Sequence, residues 1–262
     1  MNNILSKESI DIMQEAAKYA VDIMNSALFI SVAGTKTIEI NDFIQDKMDK
    51  YGVEPWFKEV DDYKYASCIS VNEVWLHGIP NDTVLKVDDI VSIDLGVKYK
   101  DHYIDHCWTI SVKEKYDSID TIRDQFSNSD SEVERFLKTG VYALNSAIER
   151  AYPKNRIGDI SSVMQDIVES AGYSVMDGYG GHGIGYDAHM DPHIPCHGYE
   201  GSGKKIKKNM GLAIEVMYAM GDGEWFVDKS DGWSIVTKDK SKTGMFEHTV
   251  IVTENGPVIL TK

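Results

Sequence analysis

Cysteine is scarce in this chain: Cys68, Cys107 and Cys196 are the only three in 262 residues. They have no paired spacing, so neither a disulfide framework nor a zinc knuckle is indicated, and they read as core thiols. No run of about 18 apolar residues occurs, which excludes a helix spanning a membrane. The N-terminus carries Lys7, Glu8, Asp11 and Glu15 where a signal peptide would need an apolar core, so the expected compartment is the cytoplasm. Positive charge is short as well, 27 Lys and Arg against 42 Asp and Glu, a net charge of -15. Such a surface repels phosphate backbones and anionic lipids, so neither nucleic acid nor membrane is the expected partner. HExxH, GxSxG and P-loop patterns are missing. A formal GxGxxG at Gly178, Gly180 and Gly183 fails in its context, because Gly185 and Asp191–Pro192 fall where the dinucleotide fingerprint should open a helix.

What is present is an ordinary globular composition, 42% hydrophobic and 26% charged, with enough chain for a substantial core. Met13, Ala17, Ala20, Met24 and Ala27 form a helical stripe, and Ile40, Phe43, Ile44, Met48 and Tyr51 form a second, closed by Gly52. Cys68–Val71 alternates like a strand, and residues 117–132, polar and rich in Ser and Asp, read as a linker. The order then repeats. Ser131 with Glu134 makes a capping box for a helix through Leu137 and Leu144, and Asp159 is placed to cap another, closed by Gly172. Strand patterns follow around Leu212–Met220 and Met245–Val252. Each half therefore reads as helix, helix, histidine turn and acidic strands, with no finer repeat.

The stretch Ile90–Ile110 has two alternating runs around a polar turn near Tyr99, Lys100 and Asp101, the pattern of a β-hairpin. A turn centred there sets Asp94 roughly opposite Asp105, where like charges with Cβ atoms about 4.5–5.5 Å apart destabilise the pair. Either one of them faces water or a cation lies between them. Glu215 in LAIEVM and Glu247 in MFEHTV are two further acids in apolar strands, and His77, His182 and His189 stand in Gly-flanked turns. Buried carboxylates must be paired or coordinated. A set rich in carboxylate and poor in histidine suits manganese, iron, cobalt or zinc, and it fits a pair of divalent ions about 3.5–4 Å apart that activates water for hydrolysis.

The blocks NEVWLHGIP, VSIDLG, YID, GHGIGYDAHMDP, LAIEVM and DGWSIVTKDKSKTGMFEHTVIVT, in that order, resemble type I methionine aminopeptidases of the pita-bread (creatinase-like) fold. The resemblance spans nearly the whole chain. It implies an α+β domain over residues 1–262. Two pseudo-symmetric halves, about 1–125 and 126–262, would share an antiparallel sheet with helices on its outer face. It implies removal of the initiator methionine from nascent polypeptides with a small second residue, close to the ribosome, by a monomer. Asp94, Asp105, His182, Glu215 and Glu247 are the implied ligands of two divalent metals. His77 and His189 are the implied substrate-contacting imidazoles, Glu215 the general base, and Tyr63, Cys68 and Trp233 part of the methionine pocket.

Neither the zinc-finger extension of eukaryotic relatives nor the type II insertion is expected, and a proline-directed relative would need an added N-terminal domain. A non-catalytic pita-bread binding protein is the alternative of another class, one that typically loses metal ligands. The chain departs from the family at several positions. Glu59–Val60–Asp61–Asp62 replaces a Gly-rich loop bearing a tyrosine, Ala188 replaces a large apolar residue, Met190 a Glu, and Val216 a Pro. Val60 and Ala188 are thus expected to face the substrate's methionine as two walls that have been cut back.

Overall fold

In this computed structural model, residues 3–60, 62–123 and 131–262 are described. The first half runs α1 (Lys7–Ile30), α2 (Thr37–Tyr51), β1 (Glu54–Pro55), β2 (Ser67–Val71), β3 (Val74–Leu76), β4 (Ile90–Tyr99), β5 (His102–Ser111) and α3 (Ile119–Arg123). The second runs α4 (Glu132–Ile148), α5 (Ile157–Ser170), β6 (Ser174–Val175), β7 (Gly180–Gly183), β8 (Met190–Pro195), β9 (Gly211–Ala219), β10 (Trp225–Val227), β11 (Ile235–Thr237), β12 (Thr243–Thr253) and β13 (Gly256–Ile259).

The long helices arise where the apolar period is 3.6. In α1 the Ser6 hydroxyl accepts from the Ser9 N–H at 3.0 Å, and Met13, Ala16, Ala20, Met24 and Ala27 are completely buried. A stripe this rich in alanine lets the helix lie close on β4 and β5. In the second half α4 packs on β9 and β12, and α5 packs beside it. Ser131 caps α4, accepting from the Glu134 N–H at 3.2 Å. Asp159 does not cap α5. The helix begins two residues earlier, with Arg156 as cap, and the Asp159 carboxylate reaches back to the Arg156 N–H at 2.7 Å. The expected linker holds α3, and its residues 124–130, like Asp61 of the pocket loop, lie outside the described residues.

The strands form a ten-stranded antiparallel sheet ordered β1-β4-β5-β12-β9-β7-β8, with β2 on β4, β6 on β9 and β13 on β12. A small sheet, β10-β11-β3, stands beside it. The hairpin between β4 and β5 closes on Lys100 and Asp101, with φ of 48° and 56°, and Tyr99 opposes His102. Positive φ at both central residues is the geometry of a two-residue hairpin turn whose twist matches its strands. The register therefore differs by two residues from the sequence expectation: Asp94 opposes Cys107 and Asp105 opposes Gly96. The two acids share one face as diagonal neighbours.

Candidate metal centre

Five strands that are consecutive in the sheet, β4, β5, β12, β9 and β7, each contribute one donor side chain. Asp94 pairs with Cys107, Cys107 with Glu247, and Glu247 with Glu215, so three acids stand in one row across the sheet. Asp105 lies two residues along from Cys107, and His182, opposite Ala213, lies two residues along from Glu215. Since side chains alternate with period 2, the second row points the same way as the first. Backbone pairing of β12 with β5 ends at His248 and His106. There the Thr249 hydroxyl takes over, accepting from the Asp105 N–H at 3.0 Å and donating to its carbonyl at 2.8 Å. The sheet thus holds Asp105 firmly while opening beside it.

Donor atoms of Asp105, His182 and Glu247 all lie within 4.8 Å of one another, and His182 Nε2 is 3.8 Å from Asp105 Oδ2. Asp105, His182, Glu215 and Glu247 are buried, and Asp94 partly so. Buried Asp94 Oδ1 has no hydrogen-bond partner among the described residues. Burial, and then the charge of Glu215, raises the Asp94 carboxyl well above its usual range. Asp105 and Glu247 are raised by burial and by their neighbouring acids, and burial brings Glu215 to about 7. His182 is pushed down to about 3 by burial and by His189, leaving it neutral and able to ligate. Four carboxylates with no lysine or arginine among the described residues lining their cavity, one oxygen of them unpartnered, fit divalent cations and fit little else. All-oxygen donors plus one imidazole, with no thiolate, suit manganese, iron, cobalt or zinc.

These groups form the floor of a cavity of about 360 Å³. Its aromatic wall is built around Gly96. A Cβ at that position would stand 1.8 Å from Trp56 Nε1, so only glycine there lets the indole lie across β4, donating to the Ile104 carbonyl at 3.2 Å. Trp56 meets Phe57 edge-on at 4.4 Å and His189 at 5.3 Å, and Tyr63 packs on Trp233 at 5.3 Å. Tyr63 donates to the Ser67 carbonyl at 2.8 Å and lies 3.2 Å from Cys68 Sγ. Burial pushes the Cys68 thiol well up, so it stays protonated and acts as an apolar wall atom rather than a nucleophile.

His77 follows β3 in a left-handed conformation, φ 57°, which turns it into the cavity beside Tyr179 and Trp233. Burial and His189 lower it to about 4. The His189 ring lies tilted 4.3 Å from that of His182, and His189 too is lowered by burial.

Eleven of the twelve side chains expected from sequence line this cavity: the five donors, His77, His189, Tyr63, Cys68, Trp233 and Val60. Val60 is 39% exposed and lies at the mouth. Ala188 does not line it. That residue is buried in the cluster with Trp56, Phe57, Tyr63 and Cys68. His182 is on a strand, β7, rather than in a turn. Sequence reasoning passed over Trp56, Tyr179, His193, Met217 and Met245, all of them lining residues. Met217 and Met245 were within reach of it, since each stands two positions from an acid on the same strand and so shares its face.

A large antiparallel sheet with paired helices on one face and a carboxylate-rich centre on the other defines a pita-bread metallohydrolase. The chain belongs to metallopeptidase family M24, whose profile matches residues 11–254, and within it to the type I methionine aminopeptidases. It is 36% identical over 259 residues to the methionine aminopeptidase of Clostridium perfringens, covering 98% of both chains. Methionine aminopeptidase 1 of Bacillus subtilis is 35% identical over 229 residues, 87% of this chain and 86% of that one. The crystal structure of methionine aminopeptidase from Thermotoga maritima superposes over 100% of both chains with a TM-score of 0.91 at 36% identity. Prolidase from Pyrococcus furiosus, at 24% identity and a TM-score of 0.75 over 65% of its length, shares the fold.

Proposed function

We propose that this protein is a cytoplasmic methionine aminopeptidase that uses two divalent cations to remove the initiator methionine from nascent polypeptides, with a small second residue preferred. One observation carries this reading: five metal donors from five adjacent strands converge on the floor of a cavity whose wall is aromatic and apolar. Asp94, Asp105, His182, Glu215 and Glu247 would hold the cations. When bound, such a pair supplies Lewis acidity, polarising a carbonyl and making water a nucleophile at neutral pH.

The chain's own residues do the rest. Tyr63, Trp233, Phe57 and Cys68 receive the methionine side chain, whose thioether gains from contact with aromatic edges. Glu215 takes the proton of the attacking water and returns it to the departing amine. His189, neutral at pH 7 and held between the rings of Trp56 and His182, donates a hydrogen bond to the carbonyl oxygen as charge develops there. His77 closes the opposite side and orients the scissile peptide. The enzyme acts as a monomer near the ribosome, where new N-termini emerge. The test is release of methionine from Met-Ala-Ser by protein stripped of metal and then supplied with manganese, cobalt, iron or zinc one at a time. Turnover that appears only with metal supports the reading; no turnover with any of them overturns it.

A further inference from the structure

The catalytic cavity does not end at the metal floor. His193 lines it and also lines a second cavity of about 250 Å³, between β8 and the start of α5. The ring has room there because Gly180 opposes Pro195 on β8 without a side chain; a Cβ would come 3.1 Å from His193 Cε1. The second cavity is walled by Ile157, Pro192 and Pro195 and ends at Lys204. Asp191, Pro192 and Lys204 in turn line a third cavity, about 240 Å³, that adds Lys205, Lys207 and Asn3. Three hollows that share lining residues thus lie in succession from the catalytic cavity, along the outermost strand of the sheet, to a group of lysines.

We propose that this path is the groove for the substrate residues following the cleaved methionine, and that it selects chains with acidic side chains at about the fourth to sixth positions. The proposal rests on the aminopeptidase reading and adds a specificity to it. A polypeptide with its first side chain in the aromatic pocket must leave the cavity, and the hollow on the far side of His193 is the next one along β8. His193 and Asp191 are two residues apart on β8, about 7 Å, and an extended chain advances about 3.3 Å per residue, so the lysines are reached a few residues beyond the cut. Pro192 and Pro195 have no N–H to offer, so this edge does not add the substrate as another strand; recognition falls to side chains. Lys204 is ion-paired with Asp191, whereas Lys205 and Lys207 are exposed with no ion-pair partner among the described residues. Four lysines within five positions, 204–208, stand out on a chain of net charge -15.

That net charge makes the test discriminating. Long-range steering by the whole molecule favours basic peptides, so a preference for acidic ones can come only from a local site. The manganese-loaded enzyme is assayed on Met-Ala-Ser, Met-Ala-Ser-Gly-Glu-Glu and Met-Ala-Ser-Gly-Lys-Lys at low ionic strength. The expected result is kcat/KM about fivefold higher for the acidic hexapeptide than for the basic one, as two exposed ion pairs allow. The difference should lie in KM and shrink as salt rises. In Lys205→Glu/Lys207→Glu the preference should reverse. Equal kcat/KM for the two hexapeptides, or a preference that survives the charge reversal, overturns the groove while cleavage of Met-Ala-Ser leaves the aminopeptidase reading standing. Failure to cleave Met-Ala-Ser overturns that reading, and the groove's role as a substrate path with it.

Discussion

Glu215→Gln tests the electrostatics of the centre apart from catalysis. Burial raises the Glu215 carboxyl from 4.5 to about 7. A carboxyl raised in the folded state contributes stability that is fully present below its unfolded value and is lost as pH rises through its folded value. Linkage between 4.5 and about 7 makes Glu215 cost the metal-free protein on the order of 2–3 kcal/mol on going from pH 5 to pH 8. For a chain of this size that corresponds to about 5–10 °C in Tm. His77 and His182 act in the other direction, because a lowered imidazole contributes stability present above 6.5 and lost as pH falls. The wild-type profile is thus a mixture, but the histidines are common to both proteins, and the relief of Asp94, Asp105 and Glu247 when the Glu215 charge is removed adds to the difference in the same direction.

The assay is thermal unfolding of chelator-stripped wild type and Glu215→Gln at pH 5 and pH 8. The variant's Tm, relative to wild type, should rise by about 5–10 °C between those pH values. An uncharged amide left without partners costs about 1–3 kcal/mol, but equally at both pH values. Adding manganese should restore the wild type most at pH 8, where the carboxylates are ionised, and the variant much less. Parallel Tm-against-pH lines for the two proteins would refute the reasoning.

The remaining predictions concern ligation and the wall. His182→Ala should lower bound metal, measured by elemental analysis, whereas His189→Ala should keep its metal and lose about 10²–10³-fold in kcat; equal metal loss in both would contradict their separate roles. Asp94→Asn should abolish turnover of Met-Ala-Ser with the far-ultraviolet circular dichroism unchanged, and near-normal turnover would remove Asp94 from the centre. In Gly96→Ala the new methyl would displace Trp56, so kcat/KM for Met-Ala-Ser should fall and stability drop by about 1–3 kcal/mol in chemical denaturation. Val60→Tyr should sharpen the preference for Met-Ala-Ser over Leu-Ala-Ser, because Val60 stands at the cavity mouth. Ala188→Leu should instead cost about 1–3 kcal/mol of stability by overfilling its buried cluster, with that ratio unchanged.

Periodicity made both helical layers legible in the chain, since Met13, Ala17, Ala20 and Met24 can share a face only at 3.6 residues per turn. The acids were legible for a similar reason. Asp94, Asp105, Glu215 and Glu247 each interrupt an apolar strand, and a buried charge is too costly to stand there without a function. Local rules reached less far where partners came from distant chain. The register of Asp94 against Asp105 depended on a two-residue turn, and Lys100 and Asp101 carry no glycine to signal the positive φ that both adopt. That Ala188 packs into a cluster with Trp56 and Phe57 rather than lining the cavity depended on residues about 130 positions earlier in the chain. Alternation along a strand tells which side chains share a face, and so the chain by itself pointed to the four acids as candidate donors. Which donors become neighbours follows from the order β4-β5-β12-β9-β7. That order brings Glu247 between Cys107 and Glu215 through long-range pairing, and only the tertiary structure decided it.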